Sequence, residues 1–283
     1  MTTNSFEPIE CRLCGGEAHP AFRKTVLRRH DVGYFRCSVC GSIETEAPYW
    51  LDEAYAIPGV HIDVGVASRT VKNWMALETL LSLAEVSRDA RILDFGSASG
   101  LLARLMRDVG YDARSYDKYA TPMFTSYFNA DLSDAPRPDI VTAFEVFEHF
   151  DKAAEELTTL LSLRPELVVF TTWFCDGQGE DWIYFVPDCG QHIFFYTEKA
   201  LADFVAALGY DLVLTSFFHL LIRRDAGEGV RRAATLFQQD AMTLVYERAR
   251  PLFEMIAFGN PAIDADFDAA QRLFQTDLDK RGV

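Results

Sequence analysis

The chain has 283 residues, of which 49% are apolar, so a sizeable core is expected and wholesale disorder is excluded. Its formal net charge of −15 repels phosphate backbones, and Arg28-Arg29-His30, Arg223-Arg224 and Arg231-Arg232 read as solvated faces or element ends, so no nucleic-acid partner is expected. No run approaches the ~18 apolar residues that span a bilayer, and the N-terminus lacks a basic start followed by an apolar stretch, which points to a cytoplasmic protein without a membrane partner.

Four of the six cysteines form two Cys-x2-Cys pairs, Cys11 with Cys14 and Cys37 with Cys40, separated by 22 residues. Each pair can grip one ion with two thiolates, while Gly15 and Gly41 relieve the turns that follow. In a reducing compartment the spacing points to a closed four-sulfur site holding structural zinc, with reduced core cysteines or a redox pair as the alternatives. Phe22–Leu27 and Gly33–Arg36 are expected to pair as strands, making residues 1–48 a zinc-ribbon-like module. His19 and His30 read as surface residues.

Residues 49–90 comprise an aromatic, proline-bearing linker and a leading helix over 71–86. Tyr49, Trp50, Tyr55 and Trp74 could wall a pocket or simply pack a core. From Arg91 to residue 226 the pattern alternates: strand 91–95, helix 101–109, strand 112–116, a short element near 126–130, strand 139–144, helix 151–163 and strand 166–172. Such alternation implies parallel strands with right-handed crossovers, hence a doubly wound α/β domain. A helix over 197–208 and a hairpin formed by 211–217 and 218–224 complete a mostly parallel, seven-stranded sheet whose last strand is antiparallel. Residues 227–283 read as two helices, 229–258 and 264–280, joined through Gly259-Asn260-Pro261 and packed on the sheet or on a second copy in a homodimer.

At the first strand-to-helix junction stands Asp94-Phe-Gly96-Ser97-Ala98-Ser-Gly100. A glycine-rich turn there admits either a dinucleotide or S-adenosylmethionine, since both need a close backbone approach. The acid ahead of the first glycine resembles motif I of class I S-adenosylmethionine-dependent methyltransferases, acid-x-Gly-x-Gly-x-Gly, with Ala98 in place of the middle glycine. The resemblance continues through Asp117 in SYDKY, Asp131 in FNADL and Glu145-Val-Phe-Glu148-His149, similar to the family's E-x-L-E-H. It implies a Rossmann-like fold and a cofactor held by Asp94, Gly96, Ser97, Ala98, Gly100, Asp117, Asp131 and Glu145. Asp117 would take the ribose hydroxyls and Asp131 the adenine amino group.

The four-cysteine module, this domain and the late segment Gly190-Gln191-His192-Ile193 together resemble zinc-containing sugar C-methyltransferases acting on nucleotide-linked deoxyketosugars. Their late motif Y-x-E-H carries the base; here His192 aligns with that histidine, Gln191 replaces the glutamate and Cys189 the tyrosine. The resemblance therefore implies a small-molecule substrate, a nucleotide-linked sugar, with His192 as general base and His149 as second choice.

Carbon methylation beside a ketone needs a base for the α-proton and stabilisation of the enolate. A neutral imidazole suits the first task. Tyr184, Tyr196, Trp182 and Gln191 are expected near sugar or enolate, while Glu145 and Glu148 either meet the methionine amine or serve structurally. His219 and His61 read as structural. O-methylation by the same base, RNA methylation and a non-catalytic cofactor-binding module are the alternative functions.

Overall fold

A computed structural model describes residues 7–56, 65–132, 137–257 and 261–281; His61 and the Gly259-Asn260 junction lie outside them. The chain forms two compact units, each assembled from separate stretches of sequence. One draws on residues 1–64, 145–163 and 170–212, the other on residues 65–144, 164–169 and 213–283.

The second unit is built on a six-stranded sheet. Its strands are β5 (Arg91–Phe95), β6 (Asp112–Tyr116), β7 (Ile140–Phe144), β8 (Leu167–Thr171), β10 (Tyr210–Leu214) and β11 (His219–Arg223), in the order β10-β11-β8-β7-β5-β6. β5 pairs in parallel with both β6 and β7, so Asp94 lies opposite Ser115 on one side and Thr142 on the other. The apolar runs Ile92-Leu93 and Ile140-Val141 are buried, as parallel strands covered on both faces require. Helices α2 (Val66–Leu83), α3 (Leu101–Asp108) and α6 (Glu228–Ala257) contribute Leu77, Leu81, Leu102, Met106 and Phe237 to the same core, while α4 (Ala153–Ser162) and α5 (Glu198–Ala207) belong to the first unit. Non-helical dihedrals at Asp240 kink α6, and α7 spans Pro261–Arg281.

The expected seventh strand is not a strand. The segment near 126–130 contributes a single parallel bridge, Asn129 to Ser115. Its sequence explains this: Tyr127-Phe128 is followed at once by Asn129 and then Asp131, residues depleted in strands, so the ladder does not extend.

The first unit carries an antiparallel sheet of β1 (Ile9–Glu10), β2 (Glu17–Val26), β3 (His30–Cys37), β4 (Ile43–Thr45) and β9 (Phe194–Phe195), in that order. β2 and β3 pair from Ala18–Cys37 to Val26–His30 with a bulge between Pro20 and Phe22, longer than the two short strands expected from sequence. β9 comes from the far end of the chain and joins through Ile43–Phe195 and Glu44–Phe194. The linker expected after residue 48 contains a short helix, α1 (Leu51–Ala56), and Trp50 is buried with its indole N–H on the Gly190 carbonyl at 2.8 Å. His30 is half-buried rather than on the surface, 3.0 Å from Glu53.

Arg12, between the cysteines of the first pair, ties this unit together. Its guanidinium meets Glu44 at 2.7 Å, Asp151 at 3.2 Å, and the carbonyls of Thr45 and Ile193 at 3.1 and 2.8 Å. Glu44 is fully buried, and this guanidinium is its ion-pair partner. Arg12→Ala is expected to lower stability by on the order of 3 kcal/mol, the cost of an unpaired buried carboxylate, read as a fall in the urea midpoint. Arg12→Lys should recover less than half, because an ammonium cannot serve four separate acceptors in a planar fork.

Candidate functional site

Each unit holds one cluster of candidate residues, and the antiparallel unit holds a four-cysteine cluster besides. In the six-stranded unit the turn after β5 follows from its glycines: Gly96 and Gly100 adopt φ of 72° and 78°, in the left-handed region. A Cβ on Gly100 would lie 2.2 Å from Thr125 Oγ1, and Thr125 is fixed by a 2.6 Å hydrogen bond to Ser115. Ala98 also has positive φ, 47°, where the motif carries glycine; the substitution retains a conformation that costs an alanine about 1–2 kcal/mol.

Ala98 N–H donates to Asp117 Oδ2 at 2.8 Å, while Asp117 Oδ1 accepts from the amides of Tyr119 and Ala120. Asp117 thus locks the glycine turn to the end of β6 with three backbone donors and keeps lone-pair capacity for a further donor. Asp94 is buried and accepts from Thr142 Oγ1 at 2.8 Å. Burial pushes its carboxyl up to about 7, the Thr142 bond only partly offsetting this, and no cation of the described residues is among the groups that act on it. Ser97 Oγ is buried with no hydrogen-bond partner among the described residues. A buried acid lacking a cation, an unmatched hydroxyl and a turn kept clear of side chains suit a ligand with an ammonium or sulfonium group beside polar hydroxyls. Asp131 is exposed two residues after the Asn129 bridge.

The other unit gathers Glu145, Glu148, His149, Tyr184 and His192. Glu145 has φ of 53°, held by its amide donating to the Thr171 carbonyl and hydroxyl at 3.1 and 2.9 Å. Tyr184 OH lies 2.7 Å from Glu148 and 3.1 Å from Glu145. One phenolic proton serves two carboxyl groups, and burial together with the Glu145 charge pushes Glu148 well above its ordinary value.

His192 Nδ1 sits 2.7 Å from the Tyr184 carbonyl. A carbonyl only accepts, so Nδ1 carries the proton and Nε2 keeps its lone pair. Burial lowers the His192 pKa, and the ring is neutral at pH 7. His149 lies with its ring 5.0 Å from that of His192, its Nδ1 3.1 Å from Tyr55 OH, and burial also lowers its pKa. Trp173, half exposed, stacks on Tyr184 at 5.1 Å and 8°.

Other expected neighbours are committed elsewhere. Gln191 Nε2 donates to the Ala54 carbonyl, Tyr196 OH donates to the Phe147 carbonyl, and Trp182 packs against the core of the unit. Tyr55, Thr125 and Thr142 were not singled out for these roles by sequence: Tyr55 stood only among the linker aromatics, and no spacing signal links it to His149.

Cys11, Cys14, Cys37 and Cys40 converge, with their sulfurs within 4.8 Å of one another and the closest pairs at 3.5 Å (Cys14–Cys37) and 3.8 Å (Cys11–Cys40). These separations are far too long for a disulfide and match the about 3.8 Å between sulfurs around a tetrahedral zinc ion. Gly15 and Gly41 have φ of 70° and 78°, and the amides of Gly16, Val39 and Cys40 each approach a sulfur at 3.4 Å. No described helix is long and apolar enough to cross a membrane.

A family profile described as a methyltransferase domain matches residues 70–215, just over half of the chain. No curated protein matches the chain in sequence. Among solved structures, it is similar to magnesium protoporphyrin IX methyltransferase from Synechocystis PCC 6803 with bound S-adenosylhomocysteine, at 14% identity and a TM-score of 0.41, covering 61% of this chain and 92% of that one. It is also similar to 1,6-didemethyltoxoflavin-N1-methyltransferase from Burkholderia thailandensis, at 14% identity and a TM-score of 0.45, covering 68% and 93%.

Because its folded-state pKa is raised, Asp94 favours folding most below its ordinary 3.8, and this contribution is lost as pH rises to about 7. Asp94→Asn should abolish that decline. At pH 8, without cofactor, thermal melting should show the variant more stable than wild type, by up to roughly 4 kcal/mol, while cofactor affinity falls.

Proposed function

The chain belongs to the methyltransferase-domain family, and from that premise we propose that it transfers a methyl group from S-adenosylmethionine to a carbon of a nucleotide-linked deoxyketosugar, with His192 as general base. The observation that carries the reading is the tautomer of His192: its proton is committed to the Tyr184 carbonyl, leaving a neutral imidazole with an available Nε2 lone pair. S-adenosylmethionine supplies an electrophilic methyl on a sulfonium. Asp94, Ser97 and the Gly96–Gly100 turn would hold it, with Asp117 toward the ribose and Asp131 toward the adenine, as the family resemblance implies.

Nε2 of His192 takes the α-proton of the sugar ketone. Glu145 and Glu148 are joined through Tyr184, and Glu145 favours the protonated ring, so negative charge stands near the imidazolium that forms. His149, held by Tyr55, stands beside the base. The substrate carbons favour this reading over O-methylation only through the likeness of the whole chain to sugar C-methyltransferases. The four cysteines would hold a structural zinc ion: all four sulfurs are taken, so no position stays open for substrate.

His192→Ala should lower turnover about 10²–10⁴-fold on a panel of nucleotide-linked ketosugars while leaving S-adenosylmethionine affinity unchanged. Unaltered turnover would exclude His192 as base, and a methyl ether product in place of a C–C bond would move the reaction to oxygen. Because burial lowers its pKa, His192 becomes competent below the ordinary 6.5, so the acid limb of kcat/KM should lie under that value. Freshly purified protein should contain about one zinc per chain, and a strong chelator should unfold the antiparallel sheet, read by circular dichroism and proteolysis within residues 7–56.

A further inference from the structure

The cluster around the proposed base has a second property that proton transfer does not require. Glu148, His149 and His192 each present a ligating atom, and these atoms all lie within 4.8 Å of one another. A tetrahedral or five-coordinate ion with bonds near 2.1 Å needs about 3.3 Å between donors, a closure of roughly 1.5 Å that side-chain torsions can supply. One gap is already narrower, with His149 Nε2 3.9 Å from Glu148 Oε1.

The outer partners of a metal site are also in place. His192 Nδ1–H is anchored on the Tyr184 carbonyl, His149 Nδ1 on Tyr55 OH, and Glu148 Oε1 on Tyr184 OH. Such partners fix imidazole orientation and leave the opposite nitrogens directed at an ion. The second carboxyl oxygen, Glu148 Oε2, is buried and makes no close hydrogen bond among the described residues, so coordination would offset part of its burial cost. Two imidazoles and one carboxylate form the donor set of a divalent transition metal rather than of magnesium or calcium.

We propose that Glu148, His149 and His192 form a second metal site, for a divalent transition-metal ion, and that filling it inhibits methyl transfer by taking the Nε2 lone pair of His192. The inhibitory half rests on His192 being the base; the binding half does not.

The test is a titration of the full chain, first loaded with one equivalent of zinc, with Co²⁺ followed by visible absorption and calorimetry. One further equivalent should bind, giving weak d–d bands without intense thiolate charge transfer. Glu148→Gln and His149→Ala should each weaken this binding at least tenfold. Should either variant lose its native circular dichroism, Tyr55→Phe, which alters only an anchor, should still weaken it several-fold. Absence of a second equivalent, charge-transfer bands alone, or affinity indifferent to all three variants would overturn the site. Turnover of wild type should fall in proportion to Co²⁺ occupancy and return with a mild chelator. Binding without loss of turnover would retain the metal site and overturn both the inhibition and the base assignment.

Discussion

The arrangement of the antiparallel unit depends on one guanidinium. Arg12 lies inside the first cysteine pair and reaches the carbonyl of Ile193, the residue after the proposed base. It also neutralises buried Glu44 on the strand that pairs with β9. β9 is only two residues long, too short to hold its own register, so the neighbours of His192 are fixed from the cysteine end of the chain. Thr197 Oγ1 on the Cys40 carbonyl and the Thr45 amide on the Ile193 carbonyl complete this anchorage. A four-cysteine element that would otherwise be an appendage is therefore part of the scaffold of the proposed chemistry.

In the other unit the governing constraint is steric. Thr125, tied to Ser115, occupies the space a side chain at position 100 would need, so the helix that follows must start at a glycine. The same turn tolerates strain at Ala98 because the Asp117 carboxylate holds its amide. Strain at Glu145, held by Thr171, follows the same logic: a left-handed non-glycine residue persists where neighbouring donors and acceptors over-determine the backbone.

Much of this was legible in sequence, because the signals were local. The period of apolar residues gives β5, α3, β6, β7 and β8 nearly to the residue, and the Cys-x2-Cys spacing brings four sulfurs together. Less legible were features set by distant partners. The third strand of the alternation shrank to a bridge, since a run containing Asn129 and Asp131 cannot sustain a ladder. The joining of residues 194–195 to an N-terminal sheet left no trace in periodicity, because a two-residue strand has none. His30 read as a surface residue for want of a motif, yet Glu53, on a helix the linker composition concealed, covers one side of it.

The bond from His192 Nδ1 to the Tyr184 carbonyl also bears on how this sequence could vary. A main-chain oxygen sets the protonation pattern of the imidazole, so the phenol at 184 can change without altering which nitrogen carries the proton. The number of residues between 184 and 192 has no such latitude. A single insertion or deletion in that loop would shift the carbonyl by a residue and leave the ring free to turn over, disabling the proposed base while every side chain in the cluster is retained.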